Sequence, residues 1–346
     1  MPCQMAYNLA SMTVLVRSFA KINLGLRIGA VREDGFHELL TVYQTIGLHD
    51  VIRVNWSRGS GIEILCDDPR VPRDESNTCH LVVEKAMRAL KGKGRVVIEI
   101  EKRLPVQGGM GGASSNAVAT LLALERVMKK TLPAEERLRI AAEVGSDLPL
   151  FLVGGTVLGL GRGEQVYPLE DLPAMACVVV TPEVGVSTPK AFAEWDGRMA
   201  DRIAGAFARP HTGTAKLTGQ GASDRMVELG RGLSAWLSES YSGAPFRRGR
   251  AENPLLELVR AGIKNDFEQV VFPEYPELSE GKCALERAGA KYASLSGSGS
   301  TLYGLFASQE AARAAVTKLR RQGWTAQATV TLTRRKYWQK ILVSSF

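Results

Sequence analysis

Residues 95–102 (RVVIEIEK) set Val96, Ile98 and Ile100 against Val97, Glu99 and Glu101, a period of two that predicts a strand with one buried face. Pro105 ends it. Beyond it, Ala117, Leu121, Leu124 and Met128, with Val118 and Leu122 beside them, predict a helix with a wide apolar stripe. Ser114 or Ser115 stands where a cap belongs, and Lys129 and Lys130 suit the negative end of the helix dipole. Alternation at Val14 and Val16, then at Leu24, Leu26 and Ile28, predicts two strands within residues 13–29, and Ile62, Ile64 and Cys66 predict another. A helix is expected over 81–90, after Ser76 and Asn77. A further one starts at Pro133, buries Leu138, Ala141 and Val144, and stops at Gly145, so Asp147 falls just past a helix end. Later come a strand over 302–306 and a helix over 309–321. Residues 196–252 carry the weakest pattern, with a short apolar helix signal at 229–237, and read as an insertion.

The strand at 95–102 and the helix after it are joined by QGGMGGASSN, residues 107–116. A glycine-rich loop opening onto a helix start presents unpaired N–H groups and about half a positive charge, so phosphate or nucleotide binding is one reading and a structural turn the other. Gly108, Gly109, Gly111 and Gly112 let the backbone approach an anion, and Ser114 and Ser115 add hydroxyls. The Walker pattern is absent from the chain, the dinucleotide fingerprint from this loop, and the HRD and DFG signatures of protein kinases are absent too.

Lys21 and Asn23 lie inside the apolar stretch SFAKINLGL (18–26), where a buried charge is costly unless paired. GSDLP (145–149) supplies Asp147 at a constrained turn. A Lys21–Asp147 pair answers both problems; the alternative is a snorkelling lysine and an unrelated surface aspartate.

At 346 residues, two domains are the natural expectation, divided near the apolar run that follows the glycine-dense GGTVLGLGRG (154–163): 1–178 and 179–346, the insertion at 196–252 lying in the second. An apolar share of 45% with 23% charged residues is that of a globular chain. The formal charge of +8 favours anionic partners without choosing between nucleotides, phosphorylated metabolites and nucleic acid. Its densest clusters, Arg247, Arg248 and Arg250, and Arg334, Arg335, Lys336 and Lys340 around Tyr337 and Trp338, read as solvated surface or tail. Five cysteines without a CxxC pair fit a reducing compartment. With no long apolar run and no signal-peptide pattern, the expectation is a cytoplasmic protein with no membrane partner.

AKINLGLRIGAVREDGFHELLTVYQ (20–44), LPVQGGMGGASSNA (104–117), GSDLPLFLVGGTVLGLGRGE (145–164), NDFE (265–268) and SLSGSGSTLYGLF (294–306) together resemble the GHMP small-molecule kinase superfamily. The first and third are most similar to the branch that acts on 4-diphosphocytidyl-2-C-methyl-D-erythritol. The resemblance implies an α+β, two-domain fold, with an N-terminal domain like ribosomal protein S5 domain 2 and a C-terminal ferredoxin-like domain. It implies ATP-dependent phosphorylation of the 2-hydroxyl of that small-molecule substrate, in the non-mevalonate isoprenoid precursor pathway, with Mg2+ accompanying ATP. Homoserine or mevalonate phosphorylation is the alternative; nucleic-acid binding is not expected, and the chain is expected to be a monomer or homodimer.

By the same resemblance, Asp147 is the catalytic base and Lys21 orients it. Gly108, Gly109, Met110, Gly111, Gly112, Ala113, Ser114 and Ser115 form the phosphate loop, and Asn77 and Lys102 border the adenine. Phe36 and His37 stack on and hydrogen-bond the cytosine, Phe192 is the second stacking ring, and Asn23 is a further substrate contact. Gly297, Ser298 and Gly299 shape the site. The metal's protein ligand is not named, Ser115 being a candidate. The chain departs from the usual pattern at Met110, Ala113 and Phe36, where Leu, Gly and Tyr are common.

Overall fold

The computed structural model describes residues 13–207, 231 and 264–343. Two long strands, β1 (Thr13–Val31) and β2 (His37–Ser57), form an antiparallel hairpin running from Thr13↔Asn55 to Val31↔His37. The far edge of β2 is shared. β4 (Arg95–Glu101) pairs antiparallel with residues 51–57 of β2, and β5 (Thr156–Leu160) with residues 41–44. β3 (Ile62–Cys66) runs parallel to β4, and β6 (Gln165–Pro168) pairs antiparallel with β5.

The two strands expected within residues 13–29 are thus a single strand. The breaks in its alternation are register shifts at Phe19/Lys21, Asn23/Gly25 and Ile28/Val31, and residues 18–28 are buried throughout. An irregular ladder in a strand covered on both faces destroys period two without ending the strand.

α1 (Thr78–Ala89), α2 (Gly112–Met128), α3 (Ala134–Val144) and α4 (Leu148–Val153) cover one face of this sheet. The centre of α2 is buried nearly all round, because it packs on β1 and β2 and is itself covered by α1 and α4. A second sheet has the order β10 (Ala326–Val330), β7 (Ala176–Val180), β9 (Leu302–Phe306), β8 (Tyr292–Leu295), every pair antiparallel. Val178, Val180, Leu302 and Phe306 face a core shared with α5 (Thr188–Phe207), α6 (Glu268–Glu274), α7 (Pro276–Arg287) and α8 (Gln309–Arg321). Cys177, Val179, Tyr303 and Leu305 meet Ala20, Ile22, Val42 and Ile46 of the hairpin instead, so the two sheets share a core. That shared core brings the loop after β4 up to the turn between β8 and β9.

The expected division at 178/179 falls inside β7, a strand of the second sheet. α5 runs into the first part of the expected insertion at 196–252; apart from Arg231, its remainder, including the helix signal at 229–237 and Arg247, Arg248 and Arg250, lies outside the described residues. The basic cluster at 334–340 is solvated surface rather than tail, with Arg335, Lys336 and Lys340 exposed. It forms α9 (Arg334–Ile341), capped by Thr333, with Tyr337 buried against Phe19 at 5.6 Å and its hydroxyl donating to Phe151 O at 2.7 Å. The apolar pair Tyr337 and Ile341, one turn apart, outweighs the charges between them.

Candidate active site

The register shifts at Phe19/Lys21 and Asn23/Gly25 bracket the polar residues of β1. Lys21 Nζ, nearly sealed from solvent, donates to Asn23 Oδ1 at 2.7 Å and lies 3.2 Å from Asp147 Oδ2. Asp147 holds the N-cap position of α4, yet its side chain makes no capping bond, which frees both oxygens for other partners. Oδ1 accepts from the Tyr43 hydroxyl at 3.0 Å. The Asp147 side chain is 30% exposed against 4% for Lys21, so a buried cation holds a carboxylate that still opens to solvent. Asn23 in turn donates to Thr41 Oγ1 at 2.8 Å.

The glycine loop is tied to the same spot. Lys21 N donates to Met110 O at 3.0 Å, Thr301 N to Gly108 O at 3.3 Å, and Ser296 Oγ to Gly109 O at 3.0 Å. Gly109 needs its φ of +73°, and a Cβ there would stand 2.2 Å from Ser296 O. Gly297, Ser298 and Gly299 belong to the turn that makes these contacts. Asn265 Nδ2 fixes it by donating to Leu295 O at 2.9 Å and Gly297 O at 2.7 Å, and Ser298 Oγ lies 2.7 Å from Thr188 Oγ1 at the start of α5. Asp266 and Glu268 of NDFE brace the same region. Asp266 pairs with Arg27 at 2.9 Å, and Glu268 accepts from Ser294 Oγ and Leu295 N.

α2 begins at Gly112 with Gly111 as its N-cap, at φ +67° and with no side-chain capping bond. Neither Ser114 nor Ser115 caps it, because both lie within the first turn. Ser115 Oγ is turned into β1, where it donates to Phe19 O at 2.7 Å and lies 2.7 Å from Ser18 Oγ. It faces away from the loop, and a metal bound at the loop would find it already committed. The first helical bond runs from Ser115 N to Gly111 O, which leaves the N–H groups of Gly112, Ala113 and Ser114 without intrahelical acceptors.

Those groups line a cavity of about 360 Å³ bounded also by Pro72, Asn77, Lys102 and Gly108–Gly111. Asn77 caps α1 through Cys79 N at 2.8 Å and donates to Pro72 O at 2.6 Å. Lys102 Nζ donates to Asp50 Oδ2 at 2.7 Å, and this fully buried carboxylate also accepts from Arg103 N and Leu104 N. A second cavity, about 420 Å³, shares Gln107 and Gly109 and is bounded by Val186, Thr188 and Ser298.

At the hairpin end, His37 is buried with Nδ1 3.2 Å from Gly29 O and Nε2 3.1 Å from Asp196 Oδ1. Phe192 stacks directly on it, centroids 5.0 Å apart and planes at 5°, and meets Phe267 edge-on. Phe36 stands outside this stack, 54% exposed, with the Arg162 guanidinium 4.9 Å from its ring centroid. Tyr43, Asp50 and Arg162 escaped the sequence reading. Only Asp50 left a trace there, as an acid directly before the apolar pair Val51 and Ile52.

Residues 77–155 match the GHMP kinases N terminal domain and residues 251–324 the GHMP kinases C terminal domain. The chain is 35% identical over 296 residues to the 4-diphosphocytidyl-2-C-methyl-D-erythritol kinase of Solibacter usitatus (strain Ellin6076), covering 86% of this chain and 82% of that one. To the kinase of the same name from Acaryochloris marina (strain MBIC 11017) it is 34% identical, covering 87% and 89%. A crystal structure of 4-(cytidine 5'-diphospho)-2C-methyl-D-erythritol kinase superposes with a TM-score of 0.66 at 29% identity, covering 92% of this chain and 98% of that one. The homoserine kinase of Cytophaga hutchinsonii ATCC 33406 superposes with a TM-score of 0.67 at 20% identity, covering 95% and 97%, a likeness of fold alone.

Proposed function

The chain belongs to the 4-diphosphocytidyl-2-C-methyl-D-erythritol kinase family of the GHMP kinases, and we propose that it transfers the terminal phosphoryl group of ATP to the 2-hydroxyl of that substrate. The products are the 2-phosphate and ADP, within the non-mevalonate route to isoprenoid precursors in the cytoplasm. The observation that carries this reading is the contact between Lys21 and Asp147 beside Met110 of the glycine loop.

Each part of the site has a role in it. The open N–H groups at the start of α2 and the positive end of its dipole hold the triphosphate, with Asn77 and Lys102 beside the adenine. Asp147 receives the proton of the attacking hydroxyl. Lys21 orients the carboxylate and offsets charge on the phosphoryl oxygens. Phosphoryl transfer asks mainly for alignment and charge stabilisation, so a carboxylate base of modest strength is sufficient. His37 and Phe192 meet the cytosine, with Phe36 as an exposed aromatic face at the rim. Asn23, bonded to Lys21, touches the substrate near the reacting hydroxyl.

Among the described residues no three of His, Cys, Asp or Glu converge as a metal cage. Magnesium takes one or two protein oxygens and fills its shell with phosphate and water, so a single hydroxyl at the loop cavity is enough to hold it beside a triphosphate. Ser114, on the wall of the loop cavity, is the residue that would hold it. When bound, magnesium supplies neutralisation of the triphosphate charge.

Purified protein with Mg-ATP and 4-diphosphocytidyl-2-C-methyl-D-erythritol is expected to release ADP far faster than with ATP alone, or with homoserine or mevalonate as acceptor. Equal rates with the three acceptors would remove the cytidyl assignment. No acceptor-dependent ADP release would remove the kinase.

A further inference from the structure

The glycine-dense run 154–163 has no part in the loop, the charged pair or the aromatic stack. A Cβ at Gly159 would come within 2.5 Å of Tyr43 Cε2, and one at Gly163 within 2.3 Å of Tyr43 Oη. These glycines make a slot for one ring. Tyr43 sits on the central strand β2, opposite Asn23 of β1 on one side and Val157 of β5 on the other, and is 2% exposed. Its hydroxyl reaches Asp147 Oδ1 at 3.0 Å, while Lys21 Nζ lies 3.2 Å from Oδ2 and 5.5 Å from the Tyr43 ring centroid.

We infer that Tyr43 is a positioning residue for the reaction: its phenol, held in the Gly159–Gly163 slot, donates to Asp147 and fixes the plane of the carboxylate that accepts the substrate proton. This rests on Asp147 being the base. With one donor on each oxygen, the carboxylate cannot rotate freely, and its remaining lone pairs stay directed at the open side of the site. Burial, and then the charge of Asp147, push the Tyr43 phenol well above its ordinary value of 10, so it remains a donor across the working pH range.

The test is Tyr43→Phe, which keeps the ring in its slot and removes the donor, measured beside Asp147→Asn and the double variant. Tyr43→Phe is expected to lower kcat about tenfold, the size of one hydrogen bond to a charged group, with KM for ATP and acceptor within about twofold of wild type. The loss falls on kcat and not on KM, because the carboxylate loses its alignment while ATP and acceptor still bind. Added to Asp147→Asn, the same substitution is expected to have no further effect. A kcat equal to wild type overturns the inference, since a purely structural role lowers the melting temperature without lowering the kcat of the folded enzyme. A Tyr43→Phe effect that persists in full in the double variant overturns it as well. Near-normal turnover by Asp147→Asn alone would overturn the base assignment, and this role with it; loss in Asp147→Asn with an unchanged kcat in Tyr43→Phe overturns only the role of Tyr43.

Discussion

Ser296 Oγ donates to the carbonyl oxygen of Gly109 at 3.0 Å, and this bond joins the serine–glycine turn of the second sheet to the glycine loop of the first. The site is therefore closed by two segments far apart in the chain, each holding the other's backbone. Substitutions at this seam are expected to disturb nucleotide binding as well as stability.

Gly109→Ala places a Cβ 2.2 Å from Ser296 O at a φ of +73°. Roughly 1–2 kcal/mol of backbone strain is then joined by a clash against backbone, which does not yield cheaply. The KM for ATP is expected to rise at least about tenfold. Gly35→Ala, at φ +80° with nothing within 4 Å, incurs the strain alone and is expected to leave that KM unchanged. Equal behaviour of the two variants in ATP titrations would show that the seam does not shape the nucleotide site.

Asp147→Asn keeps the shape of the side chain and loses its basicity. Turnover is expected to fall by about 10²-fold or more, with ATP affinity measured calorimetrically within about twofold of wild type. Lys21→Met removes the buried cation beside Oδ2, so it is expected to lower turnover. Near-normal turnover in Asp147→Asn would dispose of the base assignment.

Phe36 and Phe192 differ in what surrounds them. Phe36→Ala, at a half-exposed ring, is expected to change stability by less than about 0.5 kcal/mol and to raise KM for the cytidyl substrate about tenfold, ATP being unaffected. Phe192→Ala also loses packing on His37 and Phe267, so the melting temperature should fall as well. If neither variant altered the acceptor KM, homoserine or mevalonate would be preferred as acceptor.

Asp266→Ala leaves Arg27 buried beside a missing carboxylate, the two side chains being 0% and 8% exposed. Breaking a buried pair from one side costs roughly 3–5 kcal/mol. The shift in denaturant midpoint measures it, and a loss below about 1 kcal/mol would mean that the pair does not anchor β1 to the segment before α6.

His49, half-buried against Phe19, has its pKa lowered from 6.5, first by burial and then by the charges of Arg103 and Arg17. Protonation therefore favours the unfolded chain. Its contribution is fully present above 6.5 and declines as pH falls from that value through the depressed folded pKa. The difference in urea midpoint between about pH 7.5 and about pH 5.5 should be smaller in His49→Gln than in wild type. An identical difference would place the pH sensitivity elsewhere.

Much of the local structure was legible in the sequence. The strand at 95–101, the glycine loop and the helices α1, α2, α3 and α8 follow from periodicity, capping residues and glycine, which act over a few residues. The buried lysine in an apolar strand announced that it needed an anion, and Asp147 at a tight turn was a fitting one. Ser115 misled, because a serine at a helix start has the same sequence signature whether it caps the helix or bonds to a neighbouring strand. β1 misled because register shifts erase alternation as effectively as a turn does.

Sequence by itself determined what is local: the strand at 95–101, the helices α1, α2, α3 and α8, the glycine loop between strand and helix, and a buried charge that requires a partner. Tertiary structure decided which distant groups meet. The Tyr43 bond to Asp147, the Asp50 carboxylate under Lys102 and the seam between Ser296 and Gly109 arise from sheet register and the packing of two sheets. Those are set by the burial of apolar surface over the whole chain, and no short stretch of sequence carries that information.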